Sequence, residues 1–182
     1  MNKQLGTVIL AAGKGKRMQL TEANKVTLFL ADKPIIKHIV DFMHGLFIKV
    51  IIVVVGHHKE SVIKSLQDES LIFVEQKEQL GTGDALKHAV AVLPKEITDI
   101  LVVYGDDALL YSKDNERIIQ KLIATQIKEN NAITFLTIEQ DNPQGLGRII
   151  RDKNDKIIAI VEDKDATTRE KEIKEINPGC FI

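Results

Sequence analysis

Thr7-Val8-Ile9-Leu10-Ala11-Ala12-Gly13-Lys14-Gly15-Lys16-Arg17-Met18 is the stretch on which the fold turns, because an apolar run feeds directly into small residues and then cations. The run predicts a strand over 7–11. Glycines at 13 and 15 let backbone N–H groups crowd a ligand with no Cβ in the way, and Lys14, Lys16 and Arg17 supply charge that oxyanions attract. A polyphosphate is the natural occupant; taken alone, the segment also reads as a tight surface turn with solvated lysines. Two familiar nucleotide loops are excluded by the letters. Met18 stands where a dinucleotide-binding loop needs its third glycine, which also argues against a flavin or nicotinamide oxidoreductase, and no Gly-Lys-Ser/Thr triplet follows as a Walker loop requires.

Outward from this stretch, apolar runs at 50–55, 71–74, 100–104 and 132–138 predict further strands, and helix-spaced segments alternate with them. The run at 50–55 is apolar at every position, so both of its faces must be covered. The alternation predicts an α/β, Rossmann-like fold: a mixed, mostly parallel sheet flanked by helices. Pro34 suits a first helical residue, with Ile35, Ile36, Ile39, Val40 and Met43 recurring at helical spacing up to Gly45. Shorter helices are expected over 59–66 and 84–93, and a longer one over 114–128 with Ile118, Ile119, Leu122, Ile123 and Ile127 as its buried stripe. After Pro143, apolar runs at 148–151 and 156–161 flank Asp152-Lys153-Asn154-Asp155, which predicts a hairpin. No linker, repeat or low-complexity tract marks a boundary, so one domain over 1–182 is expected. Its last residues, Cys180-Phe181-Ile182, look like the opening of a strand, and the domain is expected to be truncated at its C-terminus.

Composition narrows the function classes. The 182 residues are 44% apolar and 28% charged, with 25 Lys plus Arg against 26 Asp plus Glu and a formal charge of -1, so no global field favours nucleic acid or an anionic membrane. Affinity for phosphate must be local. The apolar runs are too short to span a bilayer, and one cysteine, Cys180, permits no internal disulfide; a reducing cytoplasm is the expected setting.

In an open α/β sheet, ligands bind beyond the carboxyl ends of the strands. Besides the glycine-cation loop, three such places carry unusual letters: the glycines and amides of 75–84, Tyr104-Gly105-Asp106-Asp107, and the hairpin region with Gly145-Leu146-Gly147-Arg148 before it and Glu162 after it. Asp106 is the candidate magnesium ligand, since Mg²⁺ binds through one or two carboxylates plus phosphate oxygens; the alternative is that Asp106 or Asp107 merely caps the following turn. The charge run Glu162-Asp163-Lys164-Asp165 also reads as a solvated loop. The histidines lack ligand spacing and receive no role.

LAAGKGKRM (10–18), Lys25-Val26, EQLGTG (78–83), YGD (104–106), GLGRI (145–149), IVEDKDAT (160–167) and EIN (175–177) occur in the order seen in sugar-1-phosphate nucleotidyltransferases. The chain resembles most closely the N-terminal uridyltransferase half of the bacterial bifunctional N-acetylglucosamine-1-phosphate uridyltransferases, over essentially its whole length. That resemblance implies the nucleotide-diphospho-sugar transferase fold and Mg²⁺-dependent uridylyl transfer from UTP to N-acetylglucosamine 1-phosphate. It implies that Leu10, Ala11, Ala12 and Gly13 hold uracil and ribose, with Gln76, Gly81 and Thr82 completing uridine recognition. Arg17 and Lys25 would be the catalytic cations on the triphosphate, Asp106 the metal ligand, and Tyr104, Gly147, Glu162 and Asn177 the lining of the amino-sugar pocket. The acetyltransferase β-helix of that family is absent from these 182 residues, as is its second metal ligand, so weak turnover is expected of them. Several positions depart from the family pattern. Asn24 and Thr27 replace the usual proline and leucine around the lysine, Asp107-Ala108 replaces a residue-proline pair, and Pro178 stands where threonine is common.

Overall fold

The computed structural model describes residues 4–15, 23–67 and 70–182. The chain divides into two compact units, residues 1–130 with Ile182, and residues 131–181.

The first unit begins with β1 (Leu5–Ala11), a short hairpin of β2 (Phe29–Leu30) and β3 (Lys33–Pro34), and α1 (Ile35–Gly45). Then follow β4 (Ile51–Val55), α2 (Lys59–Leu66), β5 (Leu71–Glu75), α3 (Thr82–Val90), β6 (Asp99–Tyr104) and α4 (Glu116–Glu129). Four strands form one wholly parallel sheet in the order β5-β4-β1-β6. β1 pairs on one edge with β4, Leu10 opposite Val54, and on the other with β6, Leu10 opposite Tyr104. The continuous apolar run expected to be covered on both faces is β4, and all five of its residues are buried. α3 supplies part of the cover, burying Ala85 and Ala89, while α1 buries Ile36, Ile39, Val40 and Met43 at helical spacing.

The second unit contains β7 (Ile138–Glu139), β8 (Arg148–Arg151), β9 (Ile157–Val161), the single turn α5 (Thr168–Lys171) and β10 (Glu175–Ile176). Its sheet is antiparallel, in the order β7-β10-β8-β9. The predicted hairpin is β8–β9. In its turn, Asp152 accepts the backbone N–H groups of Asn154 (2.9 Å) and Lys156 (3.0 Å), an Asx-type use of the side chain.

Four expectations are corrected. The strand predicted over 132–138 is reduced to one bridge, Phe135 to Phe181, and the two residues of β7. The apolar letters there have only short partners to pair with. In α4 the buried stripe is Ile119, Leu122 and Gln126, while Ile118 and Ile127 are 44% and 54% exposed. Gln126 takes the inward position because its amide donates to Asp99 Oδ1 at 2.8 Å, satisfying a polar group that burial would otherwise penalise. Pro34 precedes α1 as its N-cap rather than opening it, and α3 starts two residues earlier than expected, at Thr82.

Strand order decides where a ligand can sit. β4 and β5 lie to one side of β1 and β6 to the other, so the loops after β1 and β6 diverge from a topological switch point. On the other side of β1, the loops after β1 and β5 close tightly over the end of β4: a Cβ on Gly56, just after β4, would lie 2.9 Å from Ala12 Cβ and 3.0 Å from the carbonyl oxygens of Ala12 and Gln76. Gly56→Ala is therefore expected to lower stability by about 1–3 kcal/mol in urea unfolding. A loss under about 0.5 kcal/mol would show that the two loops can part without cost.

Candidate active site

Beyond the carboxyl ends of β1, β5 and β6 lies a cavity of about 270 Å³, at the small end of the range for ligand pockets. It gathers residues from four separate stretches: Leu10 and Ala11 ending β1, with Ala12 and Gly13 after it; Lys25; Gln76, Gly81 and Thr82 after β5; and Tyr104 and Asp106 at the end of β6. Each was singled out in the sequence. Arg17 lies outside the described residues. Asn24, Val26, Gln79 and Ala85 also line the cavity and were not assigned to it from sequence.

The part of the lining that follows β5 is set by local hydrogen bonding. Gln76 is buried at 3% exposure and continues from β5, its N–H donating to Val55 O at 2.8 Å. Its Nε2 donates to Gly81 O (3.1 Å) and Asp84 Oδ2 (2.7 Å). Turning the amide over would set its oxygen against a carbonyl and a carboxylate, so the orientation follows from its partners. Gln76 therefore spends its donors within the protein and has an acceptor, Oε1, to offer. Gly81 has φ +114°, a conformation that side-chain-bearing residues rarely adopt, and it delivers the chain into α3 at Thr82.

A second part of the lining is ionic. Lys25 sits in a 3-10 turn, Lys25–Thr27, and its Nζ makes an ion pair with Asp106 Oδ2; both side chains are partly exposed. Asp106 and Asp107 divide the two uses anticipated for them. Burial pushes the Asp107 carboxyl up from its ordinary value, and that carboxyl accepts the N–H of Leu110, so Asp107 is the residue that caps the turn. Asp106 faces the cavity. No cluster of three His, Cys, Asp or Glu able to cage a metal occurs among the described residues. A single carboxylate on an open cavity, already drawn to a cation, suits a Mg²⁺ that brings phosphate oxygens and waters as its other ligands.

Asn24, noted in the sequence only as a departure, is the best-connected polar residue here. It is 2% exposed, and its Nδ2 lies 3.0 Å from Ala11 O, 3.3 Å from Gly13 O and 2.8 Å from His57 O. Its Oδ1 accepts the N–H of Val26 (3.2 Å), capping the turn that carries Lys25. Asparagine ahead of Lys-Val-Thr was a legible cap signal, whereas its carbonyl partners were not.

Within the second unit, three of the remaining sequence candidates converge. Asn177 N–H donates to Gly147 O at 3.0 Å, and a Cβ on Gly147 would lie 3.6 Å from Glu162 Oε1. Buried Arg148 donates to Asp163 Oδ1 (2.9 Å) and to Leu146 O, tying the residues beside Gly147 and Glu162 across β8 and β9. Arg151 holds Glu175 with two bonds of 2.8 Å, which steadies β10 one residue before Ile176 leads to Asn177.

A family model described as nucleotidyl transferase matches residues 6–179. The chain is 43% identical over 181 residues to the bifunctional protein GlmU of Psychrobacter sp. (strain PRwf-1), covering 100% of this chain and 38% of that protein. It is 44% identical over 178 residues to the bifunctional protein GlmU of Francisella philomiragia subsp. philomiragia, covering 97% of this chain and 37% of that one. The chain thus spans well under half the length of these curated relatives. Among solved structures, a UDP-glucose pyrophosphorylase complexed with UDP-glucose superposes with a TM-score of 0.79 at 20% identity, covering 99% of this chain and 75% of the other. HddC from Yersinia pseudotuberculosis gives 0.71 at 21% identity, covering 97% and 75%. At these identities the structural likeness establishes the fold.

The Arg151 guanidinium beside Glu175 holds its carboxyl below the ordinary value of 4.5. A depressed folded pKa means that the pair stabilises the second unit above pH 4.5, and that this contribution is lost as pH falls through the lower, folded value. Glu175→Gln removes the contribution at neutral pH. The thermal midpoint is therefore expected to fall less steeply with acidification in Glu175→Gln than in the parent protein, and parallel acid limbs would contradict the assignment.

Proposed function

The chain belongs to the nucleotidyl transferase family, as its ordered motifs implied, and on that premise we propose that it transfers a uridylyl group from UTP to N-acetylglucosamine 1-phosphate, releasing pyrophosphate. The observation that carries the reading is the one cavity in which the small-residue loop after β1, Gln76 with Gly81-Thr82, and the Lys25–Asp106 pair meet. An acceptor suited to a base and a cation suited to phosphate, lining one cavity, support a nucleotide as its occupant.

The acceptor Oε1 of Gln76 suits the N3–H of uracil, whereas cytosine has a lone pair at that position and would leave two acceptors facing each other. The backbone of Leu10, Ala11, Ala12 and Gly13 would hold base and ribose. In the transfer, an oxygen of the sugar phosphate forms a bond to the α-phosphorus of UTP as the bond from that phosphorus to the bridging oxygen of pyrophosphate breaks. The nucleophile needs no general base, because a phosphate monoester has its second pKa near ~6 and is already charged at neutral pH. In keeping with this, no Ser-His-Asp or Cys-His arrangement lines the cavity among the described residues. The task left to the chain is to position two anions and offset the charge between them. Lys25 is placed for that work, and Arg17 is assigned to it by motif. Asp106 would hold Mg²⁺, which when bound supplies further neutralisation of the phosphate oxygens. For the sugar, the motifs assign Tyr104, Gly147, Glu162 and Asn177.

No described helix is long and apolar enough to cross a membrane. A cytoplasmic setting, where nucleoside triphosphates and a reduced lone cysteine coexist, belongs to the same proposal.

Pyrophosphate release measured with UTP, N-acetylglucosamine 1-phosphate and Mg²⁺ tests this directly, with other nucleoside triphosphates and sugar phosphates as comparisons. Preference for another pair would replace the substrate assignment, and nucleotide binding without transfer would make the protein a sensor. Asp106→Ala is expected to abolish transfer, and Lys25→Ala to lower kcat on the order of 10²-fold or more. CTP is expected to trail UTP by about 10²-fold or more in kcat/KM; equal use of the two would remove Gln76 from base recognition.

A further inference from the structure

We propose that Asn24 is a positioning residue for the nucleotide, one side chain that sets both the loop after β1 and the turn bearing Lys25. The inference rests on the reading of the cavity as a nucleotide site. The observation behind it is convergence: carbonyl oxygens of Ala11, Gly13 and His57, from two different loops, lie 2.8–3.3 Å from the single nitrogen Asn24 Nδ2. Two hydrogens serve three acceptors, so the carbonyls share them and cannot move independently. The other polar atoms of the residue are also engaged. Oδ1 takes the Val26 N–H, the backbone N–H donates to Ser61 Oγ at 3.1 Å in α2, and the backbone oxygen accepts from Thr27 N (3.0 Å) and Thr27 Oγ1 (2.7 Å).

These bonds reach the site in two ways. In a trans peptide, C=O and N–H point in opposite directions, so pinning Gly13 O fixes the direction of the Lys14 N–H, and pinning Ala11 O fixes that of the Ala12 N–H. Those are donors that the loop would present to the nucleotide. Meanwhile the cap through Oδ1 orients the turn from which Lys25 reaches Asp106. The sheet does not depend on Asn24, since β1 is held by its ladders to β4 and β6. Asn24 has φ −77° and ψ 143°, angles that proline could adopt. The proline usual in the resembled family would keep this backbone and could make neither the carbonyl clamp nor the bond to Ser61. This chain therefore uses hydrogen bonds at a point where backbone restriction is the commoner device.

Asn24→Ala removes clamp and cap together, and Asn24→Ser retains a cap while falling short of the carbonyls. In both, KM for UTP is expected to rise at least about tenfold while KM for N-acetylglucosamine 1-phosphate stays within about twofold; kcat is expected to fall further in Asn24→Ala than in Asn24→Ser, because only the former frees the Lys25 turn. Backbone amide exchange in the unliganded protein should accelerate about tenfold or more in peptides covering 10–15 and 23–28, with 51–55 unchanged. A UTP KM within about twofold of the parent in both variants, or unchanged exchange over 10–15, would overturn the inference. Equal rises in both KM values would also overturn it, by pointing to general loosening. If the parent protein transfers nothing from UTP, the functional reading fails, and the exchange comparison still decides whether Asn24 sets the loop.

Discussion

The parallel pairing of β1 with β4 on one edge and β6 on the other is the constraint from which the first unit takes its geometry. A central parallel strand must satisfy its N–H and C=O groups on both sides and bury both faces, and the middle of β1 does so, with Val8 and Ile9 fully buried. The chain builds to one side through β4 and β5, then crosses back to lay β6 on the other. Two loops consequently leave adjacent strand ends in different directions. The gap between them receives a small-residue loop, a lysine and an aspartate whose own sequence separations are large.

Charge in this protein is a matter of placement rather than amount. Opposite charges nearly cancel over the chain, yet Lys25 and Asp106 are brought together at the mouth of the cavity. A partly exposed pair of this kind contributes little to stability, because solvent screens it and two side chains must be ordered to make it. Its value lies in the charges it can offer a ligand. The neighbouring Asp107 illustrates the opposite case: half-buried and committed to a turn N–H, it is a structural carboxylate one residue from the candidate metal ligand.

The second unit solves the same positioning problem with a small antiparallel sheet, where register has to be enforced by side chains. Arg148 is 2% exposed and ties Leu146 and Asp163, while its Nε has no partner among the described residues. A buried guanidinium with an unmet donor is costly, and the offsetting gain is the ordered pair of strands that bear Gly147 and Glu162. Arg151 and Glu175 do the equivalent for β10.

How far the amino-acid order reached is visible residue by residue. The unbroken apolar run of β4 and the polar turn of β8–β9 each identified their element, because periodicity and turn chemistry are local properties. The small-residue loop, Gln76, Gly81-Thr82 and Asp106 could be suspected together because parallel strands deliver every such loop to one edge of the sheet. The short pairing at 132–138 was not legible, since Phe135 finds its partner in Phe181, far along the chain. Nor was the phase of α4, where the bond to Asp99 draws Gln126 inward while Ile127 faces out. Sequence by itself determined most of the element types and the order of the loops at the strand ends, which depend on neighbours in the chain. Only the tertiary structure decided that Asn24 gathers the carbonyls of Ala11, Gly13 and His57, and that Lys25 meets Asp106, because those partners become neighbours only after β4 and β6 have docked on either side of β1.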